Sequence, residues 1–208
     1  RMGSSRYPGK PLAIINGRTM VEHVYRRTAM CSSLNGGVYV ATCDEEIADE
    51  VRSFSGQVIM TSSAHQRASD RVAEACEALD VDIVVMIQGD EPLITPEMVD
   101  MSFQPLLEDK TLFCTNLVKR IESEEEYRDP NTIKVVMDEE GYALYFSREP
   151  IPSNKKYNEK ISAYKQVCVI PFRRDMLIKY TQLKPTPLEI IESVDMNRLL
   201  EHGYRVKM

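Results

Sequence analysis

The first ten residues, Arg1 to Lys10, have the composition of a loop that wraps around an anion. They contain two glycines, two serines, a proline and three cationic side chains. Glycine lets a backbone approach a ligand closely because it has no Cβ, and backbone N–H groups and cationic side chains can then face that ligand. The chemistry would be the binding of a polyphosphate. Taken alone, these residues also fit a disordered, tag-like terminus.

The residues after this loop favour a nucleotide site. Thr19 and Glu22 have the spacing of a capping box, and apolar residues follow at helical spacing. A cationic glycine loop that leads into a helix is typical of phosphate binding. The spacing is not that of a P-loop, because Gly3 and Gly9 are six residues apart and Pro11 follows the lysine.

A carboxylate at Asp90 is the strongest chemical signal in the middle of the chain. It lies in the segment Gln88 to Pro92, directly after the apolar run Ile83 to Ile87. Ligands of open α/β sheets bind beyond the carboxyl ends of strands, where an aspartate can hold a metal ion over phosphates. Asp90 could equally cap the following turn. Since the chain also has a cationic loop, we expect Arg1, Lys10 and Asp90 to form a site for a nucleoside triphosphate with Mg²⁺.

The first half of the chain alternates between predicted strands and helices, which indicates βαβ units and a parallel sheet with right-handed crossovers. We expect helices to be capped by Asp44, by Ser69 or Asp70, and by Thr95 with its following proline. The run Ile83 to Ile87 is expected to be a central parallel strand covered on both faces.

The second half has a different pattern. Residues 134–137 and 142–146 alternate around a four-residue acidic loop and predict a hairpin. Residues 163–170 predict one strand, and a capping box at Thr186 predicts one helix that continues to Gly203.

These elements predict an α/β fold with a Rossmann-like, mainly parallel sheet flanked by helices and a smaller mixed subdomain. We expect one domain over residues 1–208, with a sugar-side and dimerisation insertion at about residues 130–185. The phosphate loop has no strand before it and a strand begins at the last residues, so both termini are expected to be truncated.

Composition narrows the class of protein. A chain of 208 residues with 43% hydrophobic content can bury a substantial core. A net charge of -6 argues against nucleic acid or an anionic membrane surface as a partner. Five cysteines without CxxC spacing fit a reducing compartment, and no apolar run reaches the length of a membrane span. We therefore expect a cytoplasmic protein.

Eight motifs occur together in one order over nearly the whole chain. They are Arg1-x-Gly-Ser-Ser-Arg-x-Pro-Gly-Lys-Pro-Leu12, Ala41-Thr42, Thr61-Ser62 with His65, Asp70-Arg71-x-Ala-Glu74, Gln88-Gly-Asp-Glu-Pro92, Pro130-Asn131-x-x-Lys134, Tyr145-Phe-Ser-Arg-x-x-Ile-Pro152 and Pro185-x-Pro-Leu-Glu189. This set resembles the 3-deoxy-D-manno-octulosonate (Kdo) cytidylyltransferases, or CMP-Kdo synthetases. The wider family includes CMP-sialic acid synthetases, so the resemblance identifies the family more firmly than the sugar.

The resemblance implies a reaction in which the anomeric hydroxyl of an acidic 2-keto sugar attacks the α-phosphorus of CTP. The products are a CMP-sugar and pyrophosphate. Positioning and charge neutralisation supply most of the catalysis in such transfers. The resemblance also implies a homodimer.

The resemblance assigns roles to residues of this chain. The implied nucleotide ligands are Arg1, Gly3, Ser4, Ser5, Lys10, Ala68, Ser69, Arg71, Gln88 and Asp90. Arg1 and Lys10 would stabilise charge that develops toward pyrophosphate, and Asp90 matches the family's Mg²⁺ aspartate. The second metal aspartate would lie beyond Met208. The implied acceptor-binding residues are Arg148, Gln166 and Glu192.

The chain departs from the family pattern at four places, one of which is Cys43, where the family commonly has aspartate after Ala-Thr. Arg67-Ala68-Ser69 replaces Ser-Gly-Thr in the loop near the base, Gln166 and Ile170 replace a histidine and a tyrosine, and Asp195-Met196 replaces Glu-Gln. Neutral drift in a Kdo enzyme would explain these changes. We favour a different acidic sugar or a non-sugar acceptor, because the loss of hydrogen-bonding groups discriminates strongly between hydroxylated substrates.

A second class of function is a catalytically silent homologue that binds a nucleotide or an acidic ligand, which the altered loop at Arg67 would permit. The retained Asp90 and Lys10 argue against it. His65 is expected to order its loop rather than to act as an acid or base.

Overall fold

The computed structural model describes residues 2–3, 7–65, 67–156 and 161–208, and the statements below concern these residues. Three residues with predicted roles in triphosphate binding, Arg1, Ser4 and Ser5, lie outside the described residues.

Strands and helices alternate in the first half of the chain, and strands dominate the middle. A 3₁₀ turn at Lys10–Leu12 comes first. The strands are β1 (Ile14–Ile15), β2 (Arg18–Thr19), β3 (Tyr39–Thr42), β4 (Gln57–Met60), β5 (Ile83–Ile87), β6 (Cys114–Thr115), β7 (Val118–Arg120), β8 (Lys134–Met137), β9 (Ala143–Ser147), β10 (Tyr164–Gln166), β11 (Val169–Arg173) and β12 (Val206–Lys207). The helices are α1 (Met20–Ala29), α2 (Glu45–Ser53), α3 (Ala68–Glu77), α4 (Pro96–Glu108), α5 (Glu124–Arg128), α6 (Arg174–Gln182), α7 (Pro187–Glu192) and α8 (Met196–Glu201).

The predicted α/β class is confirmed, but the strand pairing is more mixed than the sequence indicates. One sheet has the order β12-β6-β11-β5, and β3 pairs with β4 in parallel. Strand β12 runs parallel to β6, whereas β11 runs antiparallel to both β6 and β5. Among the described pairings, β5 also lies at the end of its sheet, so the expectation of a central parallel strand for Ile83–Ile87 is corrected in both position and direction. An unbroken apolar run indicates only that both faces of the strand are covered, and it does not indicate the direction of the neighbouring strands. Here α3 and α4 contact β5.

A second, antiparallel sheet has the order β7-β10-β8-β9. The predicted hairpin of β8 and β9 is confirmed. The strands of this sheet come from between Val118 and Gln166, and α6, later in the chain, contacts α3 of the main body. The division into one domain with an insertion at about residues 130–185 stays a prediction.

One buried cluster joins the two sheets. It contains Val135 and Phe146 from the second sheet together with Phe172 of the first sheet and Tyr180 of α6. Another cluster, which includes Val99 and other residues of α4, covers the opposite face of β5. Packing on both sides therefore fixes the end of β5, where Asp90 follows.

Two of the predicted helix caps are confirmed, but at Thr19 only half of the predicted capping box is formed, because the Glu22 carboxylate accepts from Arg26. The Thr19 side chain accepts a hydrogen bond from the Glu22 N–H, and the Thr95 side chain accepts one from the Met98 N–H. Asp44 occupies the N-cap position of α2, but its carboxylate accepts from the Met2 N–H at 2.9 Å. Asp44 therefore fixes the start of the cationic loop.

The prediction that Ser69 or Asp70 caps α3 is wrong. The N-cap is Arg67, and the helix begins at Ala68, so both residues lie in its first turn. Serine and aspartate favour caps, but they are also common one or two residues later, where sequence alone cannot separate the two positions.

Two predicted elements are each divided in the structure. Residues 163–170 form parts of β10 and β11, which belong to different sheets. The predicted helix from Thr186 to Gly203 is divided into α7 and α8 by Ser193, which has a left-handed φ of 53°. Apolar spacing continues through both interruptions, so the pattern does not reveal them.

No helix in the described part of the chain is long and apolar enough to cross a membrane.

Candidate active site

Lys10 and Asp90 lie in contact although 80 residues separate them in the sequence. Lys10 Nζ is 2.6 Å from Asp90 Oδ2. Both side chains are more than one third exposed, at 36% and 38%, so the ion pair adds little to stability. Lys10 of the cationic loop thus meets the strand-end aspartate at the surface, where both charges are accessible to a ligand.

The local backbone explains where Lys10 lies. Gly9 has a left-handed φ of 73°, which glycine adopts without strain, and its N–H donates to the Met2 carbonyl at 3.1 Å. This turn places Lys10 at the start of the 3₁₀ segment. A Cβ built on Gly3 would meet no protein atom within 4 Å, so the space beside this glycine is open.

The turn after β5 directs Asp90 toward the cationic loop. The Gln88 N–H donates to the Cys168 carbonyl, and the Glu91 carboxylate accepts from the Cys168 N–H. Burial raises the pKa of Glu91, and the hydrogen bond from Cys168 opposes that rise. Among the described residues, the Asp90 carboxylate accepts from Lys10 and not from a backbone N–H of the turn, so the alternative of a turn cap loses support.

Cys168 itself is not a nucleophile at neutral pH. Burial, reinforced by the negative charges of Glu91 and Asp90, raises the pKa of its thiol to about 12. Only a thiolate attacks efficiently, so this side chain offers no covalent route.

The loop after β4 is held by two charged side chains. The Arg71 guanidinium is buried and donates to Thr61 Oγ1 and to the Ser62 carbonyl. The Glu74 carboxylate accepts from the Ser62 N–H and contacts His65 Nε2. Ala68 and Ser69 follow in the first turn of α3. His65 thus has the contacts expected of a loop-ordering residue, and the nucleotide contact of Arg71 stays a prediction.

Glu192 is the centre of a hydrogen-bond network on the second sheet. Its Oε1 accepts from the hydroxyls of Tyr145 and Ser147, both at 2.8 Å, and its Oε2 accepts from the Arg148 N–H at 2.8 Å. Burial alone would raise the pKa of Glu192, but these hydrogen bonds and the Arg148 charge together lower it below its usual range. The carboxylate is therefore ionised and already satisfied by protein donors.

The Arg148 guanidinium is fixed by backbone carbonyls. Its Nε donates to the Glu192 carbonyl at 2.7 Å, Nη1 to the Pro130 carbonyl at 2.9 Å and Nη2 to the Ser193 carbonyl at 3.3 Å. An arginine has five N–H donors, so these bonds leave at most two for a ligand. Arg148 can therefore present a fixed positive charge to an acidic acceptor.

Lys134 holds the backbone of Arg148 through a hydrogen bond to its carbonyl. This side chain is fully buried, and its ammonium donates to the carbonyls of Asp129, Thr132 and Arg148. The three donors of a lysine are thus all paired, although burial still lowers its pKa. Sequence reasoning quoted Lys134 only as part of a motif and missed this supporting role.

Gln166, the third predicted acceptor residue, is bound to a buried asparagine. Its side-chain nitrogen donates to Asn116 Oδ1, and Asn116 Nδ2 in turn donates to the carbonyls of Leu117 and Val167. These bonds satisfy backbone groups where the chain passes from β10 to β11. Sequence reasoning did not identify Asn116, because a lone asparagine near a strand end has no distinctive signature.

Two of the four departures from the family pattern contact each other. Arg67 Nη1 lies 3.3 Å from Asp195 Oδ1, and the Ser69 hydroxyl donates to Asp195 Oδ2 at 3.1 Å. Burial raises the pKa of Asp195, and the charge of Arg67 and the Ser69 hydrogen bond oppose that rise. Both carboxylate oxygens therefore have protein partners.

The structure brings some of the predicted residues together and separates others. Cavities of about 440 and 530 Å³ lie beside the loop after β4, with Arg67 lining the first, Glu74 the second and Asp70 and Arg198 both. Neither of these two cavities is lined by Lys10 or Asp90, so the ion pair at the predicted triphosphate end lies outside both of them.

The comparisons with known proteins agree with this geometry. The family model for cytidylyltransferases matches residues 1–206. A 3-deoxy-manno-octulosonate cytidylyltransferase of Geotalea uraniireducens is 46% identical, with all of this chain and 86% of the relative covered. A protein of the same name from Fusobacterium nucleatum is 44% identical, covering all of this chain and 84% of the relative.

A solved structure described as CMP:2-keto-3-deoxy-manno-octonic acid synthetase complexed with CTP matches with a TM-score of 0.90 and 38% identity. The match covers 99% of this chain and 84% of that one. The resemblance inferred from the motifs is confirmed. The chain belongs to the cytidylyltransferase family and is a nucleotidyltransferase.

Proposed function

We propose that this enzyme uses CTP to activate 3-deoxy-manno-octulosonate, giving CMP-Kdo and pyrophosphate. The names of its relatives and its likeness to a structure complexed with CTP support this reaction. The single observation that carries the proposal is the contact of exposed Lys10 with exposed Asp90 beyond the end of β5.

The residues of this chain act mainly by positioning and by charge. The anomeric hydroxyl of the sugar attacks the α-phosphorus of CTP, the bond to the β-phosphate oxygen breaks, and pyrophosphate leaves with its electron pair. Lys10 turns from Asp90 to the incoming phosphates and stabilises the charge that grows on pyrophosphate. Arg1, Gly3, Ser4 and Ser5 of the same loop bind the triphosphate, and Ala68, Ser69, Arg71 and Gln88 bind the rest of the nucleotide.

Asp90 fits a role as an Mg²⁺ ligand. Its carboxylate is an exposed hard oxygen donor beside the predicted phosphate loop, which suits Mg²⁺ bound by one carboxylate together with substrate phosphates. The described residues contain no group of three or more His, Cys, Asp or Glu side chains that could hold a metal by themselves. Mg²⁺ held by Asp90 would neutralise phosphate charge.

Arg148 provides the fixed positive charge for the carboxylate of the acceptor. Lys134 and Glu192 hold the Arg148 backbone in place. The Lys134 ammonium donates to the Arg148 carbonyl, and the Glu192 carboxylate accepts from the Arg148 N–H. Gln166, held by Asn116, ends β10 two residues before Cys168, whose N–H donates to Glu91 in the Asp90 turn.

One observation favours a second candidate acceptor. Both oxygens of Asp195 are engaged by Arg67 and Ser69, so part of the acceptor capacity of this carboxylate is already used by the protein. An acidic sugar with a different hydroxyl pattern, of the sialic acid type or another, would then replace Kdo as the best substrate.

We also propose that the enzyme works in the cytoplasm as a homodimer. All five cysteines are free, which suits a reducing compartment. Leu144, Ile190 and Ile191 are exposed apolar side chains on β9 and α7 that a second copy would cover. Light scattering coupled to gel filtration measures the oligomeric state, and a monomer at micromolar concentration would contradict the dimer.

The experiment for the reaction is pyrophosphate release from CTP and Mg²⁺ with a panel of 2-keto acids that includes Kdo and a sialic acid. We expect release with Kdo, and a higher kcat/KM for another acidic sugar would favour the second candidate. Release with none of the acceptors would favour a nucleotide-binding homologue without activity. Thermal shifts with CTP, UTP, ATP and GTP test the choice of base.

A further inference from the structure

The break between α7 and α8 is held by arginines that come from different parts of the molecule. Ser193 has a left-handed φ of 53°, which separates the two helices. On one side, Arg148 of the second sheet donates to the carbonyls of Glu192 and Ser193. The position of this break therefore determines where the charge of Arg148 points.

Arg67 binds the same break from the loop that precedes α3. Its Nη1 lies 3.3 Å from both Ser193 Oγ and Asp195 Oδ1, and its Nε lies 3.5 Å from Glu189 Oε1. These partners are 122 to 128 residues away in the sequence. Ser69, in the first turn of α3, adds a hydrogen bond to Asp195. Arg67 thus joins the nucleotide-side helix to the acceptor-side segment.

The segment that Arg67 contacts is also held by other side chains. Arg198 forms two hydrogen bonds to Glu189, at 2.6 and 2.7 Å, and both side chains are buried. The Tyr180 hydroxyl donates to the Asp195 carbonyl. Glu189 therefore already has a full ionic partner, and Arg67 is not needed to neutralise it. Arg67 is partly buried, and besides opposing the charge of Asp195 it reaches three acceptors around one break, which gives it a positional effect as well.

We propose that Arg67 is a positioning residue that couples nucleotide binding at the first turn of α3 to the arrangement of Glu192 and Arg148 on the acceptor side. The proposal rests on the proposed function, since it assumes that a nucleotide contacts Ala68 and Ser69. A nucleotide that fixes this turn also fixes Arg67, which then holds Ser193 and Asp195 in the arrangement that orients Arg148. Acceptor binding becomes tighter once CTP is bound, within the range of about 5- to 150-fold that is typical of coupled sites.

The first measurement needs no turnover. Hydrogen exchange with CTP and Mg²⁺, without acceptor, reports the amides of residues 193–198. We expect CTP to slow their exchange at least about threefold in the wild type and to have no such effect in Arg67→Ala. The matched control is Arg52→Ala, which removes an exposed arginine paired with Glu45 and Asp49 on α2, far from the break in sequence.

The second measurement separates binding of the two substrates. For Arg67→Ala we expect the Kd for CTP to stay within about twofold and the KM for the acceptor to rise about tenfold, in line with a moderate coupling. Asp195→Asn weakens only one of the three contacts of Arg67, so its KM should rise less, and the double variant should be no worse than Arg67→Ala alone. Arg67→Lys keeps a charge near Asp195 but cannot reach all three partners, so its KM should be intermediate.

The outcomes distinguish the coupling from the reaction itself. If the wild type does not bind CTP, the proposed function fails and the coupling fails with it. If the wild type binds CTP and reacts, but Arg67→Ala keeps both the CTP-induced protection and the acceptor KM, the coupling alone is overturned. An equal effect of Arg52→Ala, or strictly additive effects of Arg67→Ala and Asp195→Asn, would also overturn it.

Discussion

At the scale of single residues, charges in this molecule fall into two kinds. Lys134, Glu189 and Arg198 are buried and have all of their strong partners within the protein. Lys10 and Asp90 are exposed and have only each other among the described side chains. Removing a buried ion leaves its partner without compensation, whereas an exposed pair can be exchanged for ligand contacts at little cost. We therefore propose that the exposed pair, Lys10 and Asp90, takes part in the reaction.

Asp195 allows a prediction about pH. Its pKa in the folded protein is raised above the unfolded value by burial, and Arg67 limits the rise. The folded state therefore binds this proton more tightly, so the contribution to stability is present at low pH and is lost as pH rises through the folded pKa. In Arg67→Ala the pKa of Asp195 should rise further, and this loss should extend to higher pH.

Carboxyl ¹³C NMR titration measures that pKa directly, and urea unfolding from pH 4 upward measures the stability difference. The gap in unfolding free energy between wild type and Arg67→Ala should widen as pH rises. An unchanged pKa, or a gap that is largest at the lowest pH, would contradict the assignment of Arg67 as the main opposing charge.

At the scale of elements, short interruptions position the site more than long helices do. The break at Ser193 separates α7 from α8 and exposes the carbonyl that Arg148 binds. The passage from β10 to β11 brings Cys168 to the Glu91 carboxylate and so shapes the Asp90 turn. Each interruption needs a backbone conformation that the neighbouring apolar pattern does not encode.

The left-handed backbone of Ser193 predicts different effects for two substitutions at this position. A β-branched residue is strongly disfavoured at a φ of 53°, whereas glycine is tolerated. Ser193→Val should lower the free energy of unfolding by about 1–2 kcal/mol. Ser193→Gly should change it by less than about 0.5 kcal/mol, because it removes only the hydroxyl that accepts from Arg67. Urea denaturation measures both, and equal destabilisation by the two substitutions would contradict the observed conformation.

At the scale of the whole molecule, one core holds both sheets. Phe146 of the second sheet is fully buried in the cluster that contains Phe172 and Tyr180. Asn197 on α8 also exchanges hydrogen bonds with the Phe146 backbone. The two sheets should therefore unfold together, in keeping with the prediction of a single domain.

Phe146→Ala tests this shared core. A buried phenylalanine replaced by alanine costs about 3–5 kcal/mol, and the loss should appear in one cooperative transition. Circular dichroism and tyrosine fluorescence should then give the same midpoint in urea. Two separated transitions, with only one shifted by the substitution, would show that the sheets unfold independently.

Much of this architecture could be predicted from local sequence, and the rest depends on distant contacts. Thr19 and Thr95 cap helices through bonds three residues away, so the sequence pattern is sufficient. Asp90 follows a buried strand, and its place at the sheet edge follows from that. The antiparallel direction of β11 and the Arg67 contact with Asp195 were not predictable, because both join residues that are far apart in the chain and no periodicity reports them.

The central claim is that the cationic loop and Asp90 act on one triphosphate and its metal. The most direct test is the rate of pyrophosphate release from CTP and Kdo, measured against Mg²⁺ concentration for the wild type and Asp90→Asn. The two side chains have nearly the same volume, so circular dichroism should show an intact fold. We expect the Mg²⁺-dependent kcat of Asp90→Asn to fall at least about 100-fold, as is typical when a metal ligand or a transition-state charge partner is removed. Turnover within about twofold of the wild type at every Mg²⁺ concentration would contradict the account.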